Sequence, residues 1–146
     1  MGSEDEFVDG AKVAAKILNS LPEADRKRML DRIRMADPAL LSKVLRNVVV
    51  YEDILTLTAQ GAQLLLKETD QNDLLTALSG SDKKIVDFVL ANISERKRRL
   101  VQEELSTFER KSAAEISHAK SQIVKTLDRL REQGLVRSGG DDDIYV

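Results

Sequence analysis

The chain has no cysteine and no tryptophan, and a single histidine, His118. Those absences exclude a disulfide framework, a thiolate metal site and a multi-histidine metal cage. Aromatic residues make up only 3% of the sequence, so the core has to be built from leucine, isoleucine and valine. No apolar run approaches the roughly 20 residues that a membrane-spanning helix needs. The start, MGSEDEF, is acidic and lacks the apolar segment of a secretory signal. Residues 1–6 are expected to be disordered or cloning-derived. A net charge of −2 argues against a general polyanion binder. What is present, 42% hydrophobic and 33% charged residues over 146 positions, supplies a core and a well-solvated surface. The length suits one domain or two small ones. Together these features point to a soluble, cytoplasmic, mostly helical protein.

Apolar spacing predicts a helix over 7–21, with Ala11, Ala14, Ile17 and Leu21 inward. Pro22 is placed to open a second helix, with Glu23 and Asp25 in its first turn. That helix turns Met29, Leu30 and Ile33 inward and Arg26, Lys27, Arg28, Arg32 and Arg34 mainly outward. Asp37-Pro38 restarts the chain for a third helix with Leu41, Val44 and Leu45. Short helices joined at proline-marked turns suggest part of an α-solenoid. The β-branched stretch VVVYEDILTL (48–57) breaks the rhythm and reads as an extended or irregular, partly buried connector. Beyond it, helices are expected with Ala62, Leu65 and Leu66 inward, then Leu74, Leu75, Ala77 and Leu78, then Ile85, Val86, Val89, Leu90 and Ile93. Ser112 and Glu115 form a capping box that opens a long helix with Ile116, Ala119, Ile123, Leu127 and Leu130, ending at Gly134.

Between these lies SERKRRLVQEELSTFERK. Ser94 is a good N-cap, and the pattern predicts a helix of about four turns closing at Phe108. Val101, Leu105 and Phe108 share one side of the wheel, while Arg96, Arg99 and Glu103 share the other. Arg99 and Glu103 have the spacing of an i,i+4 ion pair, although glutamate before its basic partner is the better order.

Other chemistry is weaker. The basic run 26–34 is interrupted by Asp31 and has no stacking aromatic, which argues against nucleic-acid binding. Asp141, Asp142 and Asp143 lack the spacing of a calcium loop. His118, with Ser117, Ser121 and Glu115 nearby on one helix, does not have the arrangement of a catalytic triad and reads as a surface histidine. Ser79-Gly80-Ser81 is a helix stop and restart, with no phosphate-loop pattern. No active site, cofactor site or metal site is expected.

Taken in order, DGAKVAAKILN, VVVYEDILTL, NDLLTALSG, VLANISERKRRLVQEELS, the long helix ending REQGLV, and SGGDDDIYV resemble the C-terminal part of the bacterial flagellar motor switch protein family, FliG. The resemblance runs from Val8 to Val146. It does not cover the family's first two thirds, which anchor to the membrane ring protein FliF and carry the E-H-P-Q-R patch that binds FliM. It implies an all-α fold, an armadillo-like right-handed helical superhelix in two lobes joined by a short hinge. The implied divisions are an armadillo-like lobe at 7–47, a hinge connector at 48–57, a six-helix lobe at 58–136 carrying the charged helix 94–108, and an acidic tail at 137–146.

The family's M-F-x-F hinge motif falls on Val48, Val49, Val50 and Tyr51, so only the last position resembles it. The charged helix that the family presents to the stator protein MotA falls on Ser94 to Thr107. Its arginine matches Arg96, and its acidic pair matches Glu103 and Glu104, glutamates in place of the usual aspartates. Two basic positions are lost, at Ser79 and Ser112, and the G-P-V-R turn is replaced by Glu109 to Ser112. Arg98 and Arg99 are expected to compensate for Ser79.

The resemblance implies a rotor and switch component, not an enzyme and without a cofactor, that transmits torque through Arg96, Arg99, Glu103 and Glu104 and reorients about the hinge. The implied partners are MotA, neighbouring FliG-type subunits in a ring, and FliM, with no nucleic acid and no insertion into the membrane. The implied location is cytoplasmic, peripheral to the inner membrane at the flagellar basal body. The alternative is a stand-alone helical-repeat adaptor that binds a protein partner outside the motor.

Overall fold

The structure, a computed structural model, describes residues 10–136. The expected start at 1–6, the first residues of the 7–21 helix and the acidic tail at 137–146 lie outside the described residues. Every regular element among the described residues is helical, and the chain divides into two compact units between Val50 and Tyr51.

The first unit holds α1 (Gly10–Asn19), α2 (Glu23–Ala36) and α3 (Pro38–Leu45). Asp37 separates the last two from both sides. Its N–H donates to the carbonyl of Ile33 at 2.8 Å, and its carboxylate accepts from the N–H of Leu40 at 3.1 Å. Pro38 then sits in the first turn of α3, where its missing N–H costs nothing. The core is small: Ala15, Leu18 and Val44, with Ala11, Ala14, Leu21, Leu30, Ile33 and Val48 packed around them.

Three short helices cannot cover all the apolar surface they carry. Ile17, Met29 and Leu45, expected inward, are exposed, as are Val13 and Met35. The buried row of α1 runs through Ala15 and Leu18, not through Ile17. Arg26, expected outward, is buried.

In the second unit, residues 51–56 form a 3-10 helix, followed by α4 (Ala59–Glu68), α5 (Gln71–Ser79), α6 (Lys83–Ala91), α7 (Glu95–Ser106) and α8 (Ala113–Glu132). The stretch 58–136, expected to hold six helices, thus holds five α-helices among the described residues. The 3-10 helix lies inside the stretch 48–57, where an extended or irregular connector is expected. Its reason is a period of three. Tyr51, Ile54 and Leu57 are all buried, and a 3-10 helix, with about 3.0 residues per turn, puts them in one row.

The long helix α8 organises this unit: α5 packs along it, and α4 and the 3-10 helix rest on it. Its capping box is present, with Ser112 Oγ accepting from the Glu115 N–H and the Glu115 carboxylate accepting from the Ser112 N–H, both at 3.1 Å. These bonds hold the Glu115 carboxyl below its ordinary range. At the far end Gly134, at φ +71°, allows the Leu135 N–H to reach back to the carbonyl of Leu130 at 2.9 Å, which closes the helix. Between the two ends Ala119, Ile123, Val124, Leu127 and Leu130 are buried.

Candidate partner-binding helix

The candidate site is the outer face of α7. Ser94 Oγ accepts from the Lys97 N–H at 3.2 Å, which fixes the first turn, and Glu95 places a negative charge at the positive end of the helix. The helix stops at Ser106, two residues before Phe108, where the Thr107 N–H turns back to the carbonyls of Glu104 and Leu105. Val101 is wholly buried, and Leu105 and Phe108 are half-buried. With that row turned inward, Arg96, Arg99, Glu103 and Glu104 are all exposed.

The charges do not pair as the spacing first suggests. Arg99 pairs with Glu95 at 3.6 Å rather than with Glu103, so the glutamate precedes its cation in the favoured order. Both side chains are more than 70% exposed, and a pair of that kind contributes about 0–1 kcal/mol. Arg98 has a different task. It is half-buried, and its Nε donates to the carbonyl of Leu90 at 2.8 Å, satisfying an acceptor in the last turn of α6. Arg98 therefore ties α7 to the preceding helix. Ser79 itself donates to the carbonyl of Thr76 at 2.6 Å. Lys111, beside the substituted turn, lies 5.3 Å from the centre of the Phe108 ring.

The residues matched to the hinge motif divide between the two units. Val48 packs against the core of the first unit, and the Val49 N–H donates to Asn19 Oδ1 at 2.7 Å. Asn19 also donates from Nδ2 to the carbonyl of Asn47 at 3.2 Å. Val50 is half-buried. Tyr51 is buried in the second unit, with its hydroxyl 2.9 Å from Ser81 Oγ and the Lys120 ammonium 5.1 Å from its ring centre. Burial pushes the Tyr51 phenol above its ordinary value, against the opposing effect of the Ser81 bond. Asn19 carries no signal in the sequence, because its partners lie 28 and 30 residues away. No local pattern announces them.

A shallow cavity of about 310 Å³ between α5 and the start of α8 is lined in part by Asp73, Thr76, Glu115 and His118. Burial, then the neighbouring Asp70, raises the Asp73 carboxyl, while His118 acts the other way. Among the described residues, no group of three or more histidine, cysteine, aspartate or glutamate side chains is placed to hold a metal ion. No described helix is long and apolar enough to cross a membrane.

The profile of the FliG C-terminal domain matches residues 31–137. The flagellar motor switch protein FliG of Thermotoga maritima is 31% identical over 138 residues, 92% of this chain and 41% of the relative. That of Bacillus subtilis is 28% identical over 139 residues, 94% of this chain and 41% of the relative. The chain thus spans about two fifths of the length of these relatives. Among solved structures, a FliG crystal structure from H. pylori superposes with a TM-score of 0.69 at 28% identity, covering 88% of this chain and 61% of that one. Full-length FliG from Aquifex aeolicus gives a TM-score of 0.59 at 30% identity, over 86% of this chain and 39% of that one.

Proposed function

From the premise that the chain belongs to the FliG C-terminal domain family, we propose that it is the part of a flagellar rotor and switch protein that meets the stator. The observation that carries this reading is the outer face of α7. It exposes Arg96, Arg99, Glu103 and Glu104 together on a helix whose opposite side is buried, at the positions that match the family's charged helix. A mixed-charge face suits a contact that must form and release with every step of rotation. Each exposed pair is weak, salt screens it over roughly 8–10 Å, and the summed field guides the approach. On this reading the partner on the stator is MotA, and the protein works as a structural element rather than as an enzyme.

Direction switching, on the same reading, is a shift between two packings of the units about a hinge at Val48, Val49, Val50 and Tyr51. The divisions that follow are an armadillo-like lobe at 7–47, a connector at 48–57 and a C-terminal lobe at 58–136. On this reading, the apolar side chains Val13, Ile17, Met35 and Leu45 exposed on the first unit are what a neighbouring FliG-type subunit covers, as an uncapped solenoid unit requires. FliM is a further partner. The location is cytoplasmic, at the inner face of the flagellar base. Family membership favours this reading over an adaptor working outside the motor. Complementation tests it: residues 7–146, joined to the N-terminal part of a FliG protein, should restore swimming and reversal to a strain that lacks FliG. Assembled flagella that never turn would overturn it.

A further inference from the structure

The cleft between α5 and α8 has a polar floor that the protein itself leaves unsatisfied. Thr76 is only 5% exposed and lines this cleft of about 310 Å³. Its backbone carbonyl accepts from Ser79, but among the described residues its hydroxyl has no hydrogen-bond partner. A buried threonine on a helix normally finds one in the carbonyl a turn back. Thr126 on α8 does so, with Oγ1 donating to the carbonyl of Gln122 at 3.1 Å. Asp73, one turn before Thr76, is half-buried and lines the same cleft. Glu115 and His118, about one turn apart at the start of α8, line it from the other side.

Charge selects the occupant. Burial, and then the neighbouring Asp70, make the ionised form of Asp73 costly, and a cation placed beside it removes that cost. The capping box holds Glu115 ionised. Lys111, the ammonium at the rim, lies 5.3 Å from the centre of the Phe108 ring. An anion would therefore meet two carboxylates, and among the described residues no group of three or more such ligands is placed to hold a metal ion. A guanidinium fits better. Its planar fork can give two parallel bonds to one carboxylate and still keep an N–H for a hydroxyl. The cleft is shallow, with Glu115 and His118 exposed, whereas a site for a free small molecule buries most of its ligand. An arginine carried by another protein needs only its tip covered. We propose that the cleft between α5 and α8 receives the guanidinium of an arginine side chain from a partner protein, with Asp73 as its carboxylate and Thr76 Oγ1 as the acceptor at the floor.

His118 is the single histidine of the chain and lines the cleft, so its ring signals report on binding there. The test titrates the full chain with N-acetylarginine N-methylamide and follows His118 by NMR. The capped lysine and capped citrulline serve for comparison, and thermal melting is the control for folding. The capped arginine should shift the His118 signals saturably, the capped lysine should bind several times more weakly, and the uncharged citrulline should leave the signals in place. Asp73→Asn should weaken binding by about tenfold, and Thr76→Val by about threefold. Equal shifts from citrulline, or an Asp73→Asn variant that binds as the parent does, would overturn the guanidinium site. Parent-like binding by Thr76→Val would overturn the floor contact. Free arginine, with its α-ammonium and carboxylate, should bind no more tightly than the capped form. Binding tighter by about tenfold would overturn a partner protein as the source. The measurement involves no stator protein, so its failure leaves the reading of α7 standing.

Discussion

The backbone N–H of Val49 donates to the side-chain oxygen of Asn19 at 2.7 Å, from 30 residues further along the chain. Through this bond the end of α1 holds the irregular stretch after α3. Asn19 is only 2% exposed, so its removal leaves a buried donor without a partner. Asn19→Ala should lower the stability of the chain by about 1–3 kcal/mol. Chemical denaturation would register this as an earlier midpoint, and an unchanged midpoint would show that water replaces the side chain.

The close approach of α5 and α8 depends on Gly80. A Cβ there would stand 2.6 Å from Ile116 Cγ2 and 2.9 Å from Cδ1. Gly80→Ala should therefore cost about 1–3 kcal/mol through overpacking. In a background of Ile116→Ala the same change should cost less, and a double-mutant cycle would give that coupling directly. Strict additivity would mean that the helices simply move apart.

Tyr51 makes stability depend on pH at the alkaline end. Its phenol is raised by burial, so the folded state favours the neutral form. The sign follows: the contribution is complete below the ordinary tyrosine value near 10, and is lost as pH rises through the higher folded value. Melting temperature measured across alkaline pH should fall less steeply for Tyr51→Phe than for the parent chain. At neutral pH the variant should be modestly less stable, by about 0.5–1.5 kcal/mol, for want of the bond to Ser81.

Much of this was readable in advance. The capping box at Ser112 and Glu115, the stop at Gly134 and the row Ala119, Ile123, Leu127, Leu130 are local signals, fixed by bonds within one turn or by a regular spacing along a long helix. The helices of the first unit were harder. In α1 alanines lie on more than one side, so spacing alone does not decide between Ile17 and Leu18 for the core. The burial of Arg26 is likewise invisible to a pattern that assigns cations to solvent. The 3-10 helix at 51–56 leaves little trace in the sequence, because β-branched residues argue against an α-helix, while the three-residue spacing of Tyr51, Ile54 and Leu57 fits neither of the usual periods. On α7 the exposed face followed from the wheel, but the choice of Glu95 over Glu103 by Arg99, and of Leu90 by Arg98, needed coordinates.

The first unit should bring copies together. Val13 and Ile17, one turn apart on α1, are each 55% exposed and Met35 is 88% exposed, apolar surface that a second copy would cover. Sedimentation velocity over a range of concentrations should show reversible association of the chain. Val13→Ser combined with Ile17→Ser should reduce it with little change in melting temperature. A parent chain that stays monomeric at high concentration would remove the role given to this face.

The most direct measurement is torque. Arg96→Glu and Arg99→Glu, introduced together into the chain joined to the N-terminal part of a FliG protein, should cut the rotation speed of tethered cells and the recruitment of stators. Reversal of an acidic partner on MotA should restore part of both. Rotation and recruitment equal to those of the parent chain would contradict the assignment of α7 as the surface on which the motor pushes.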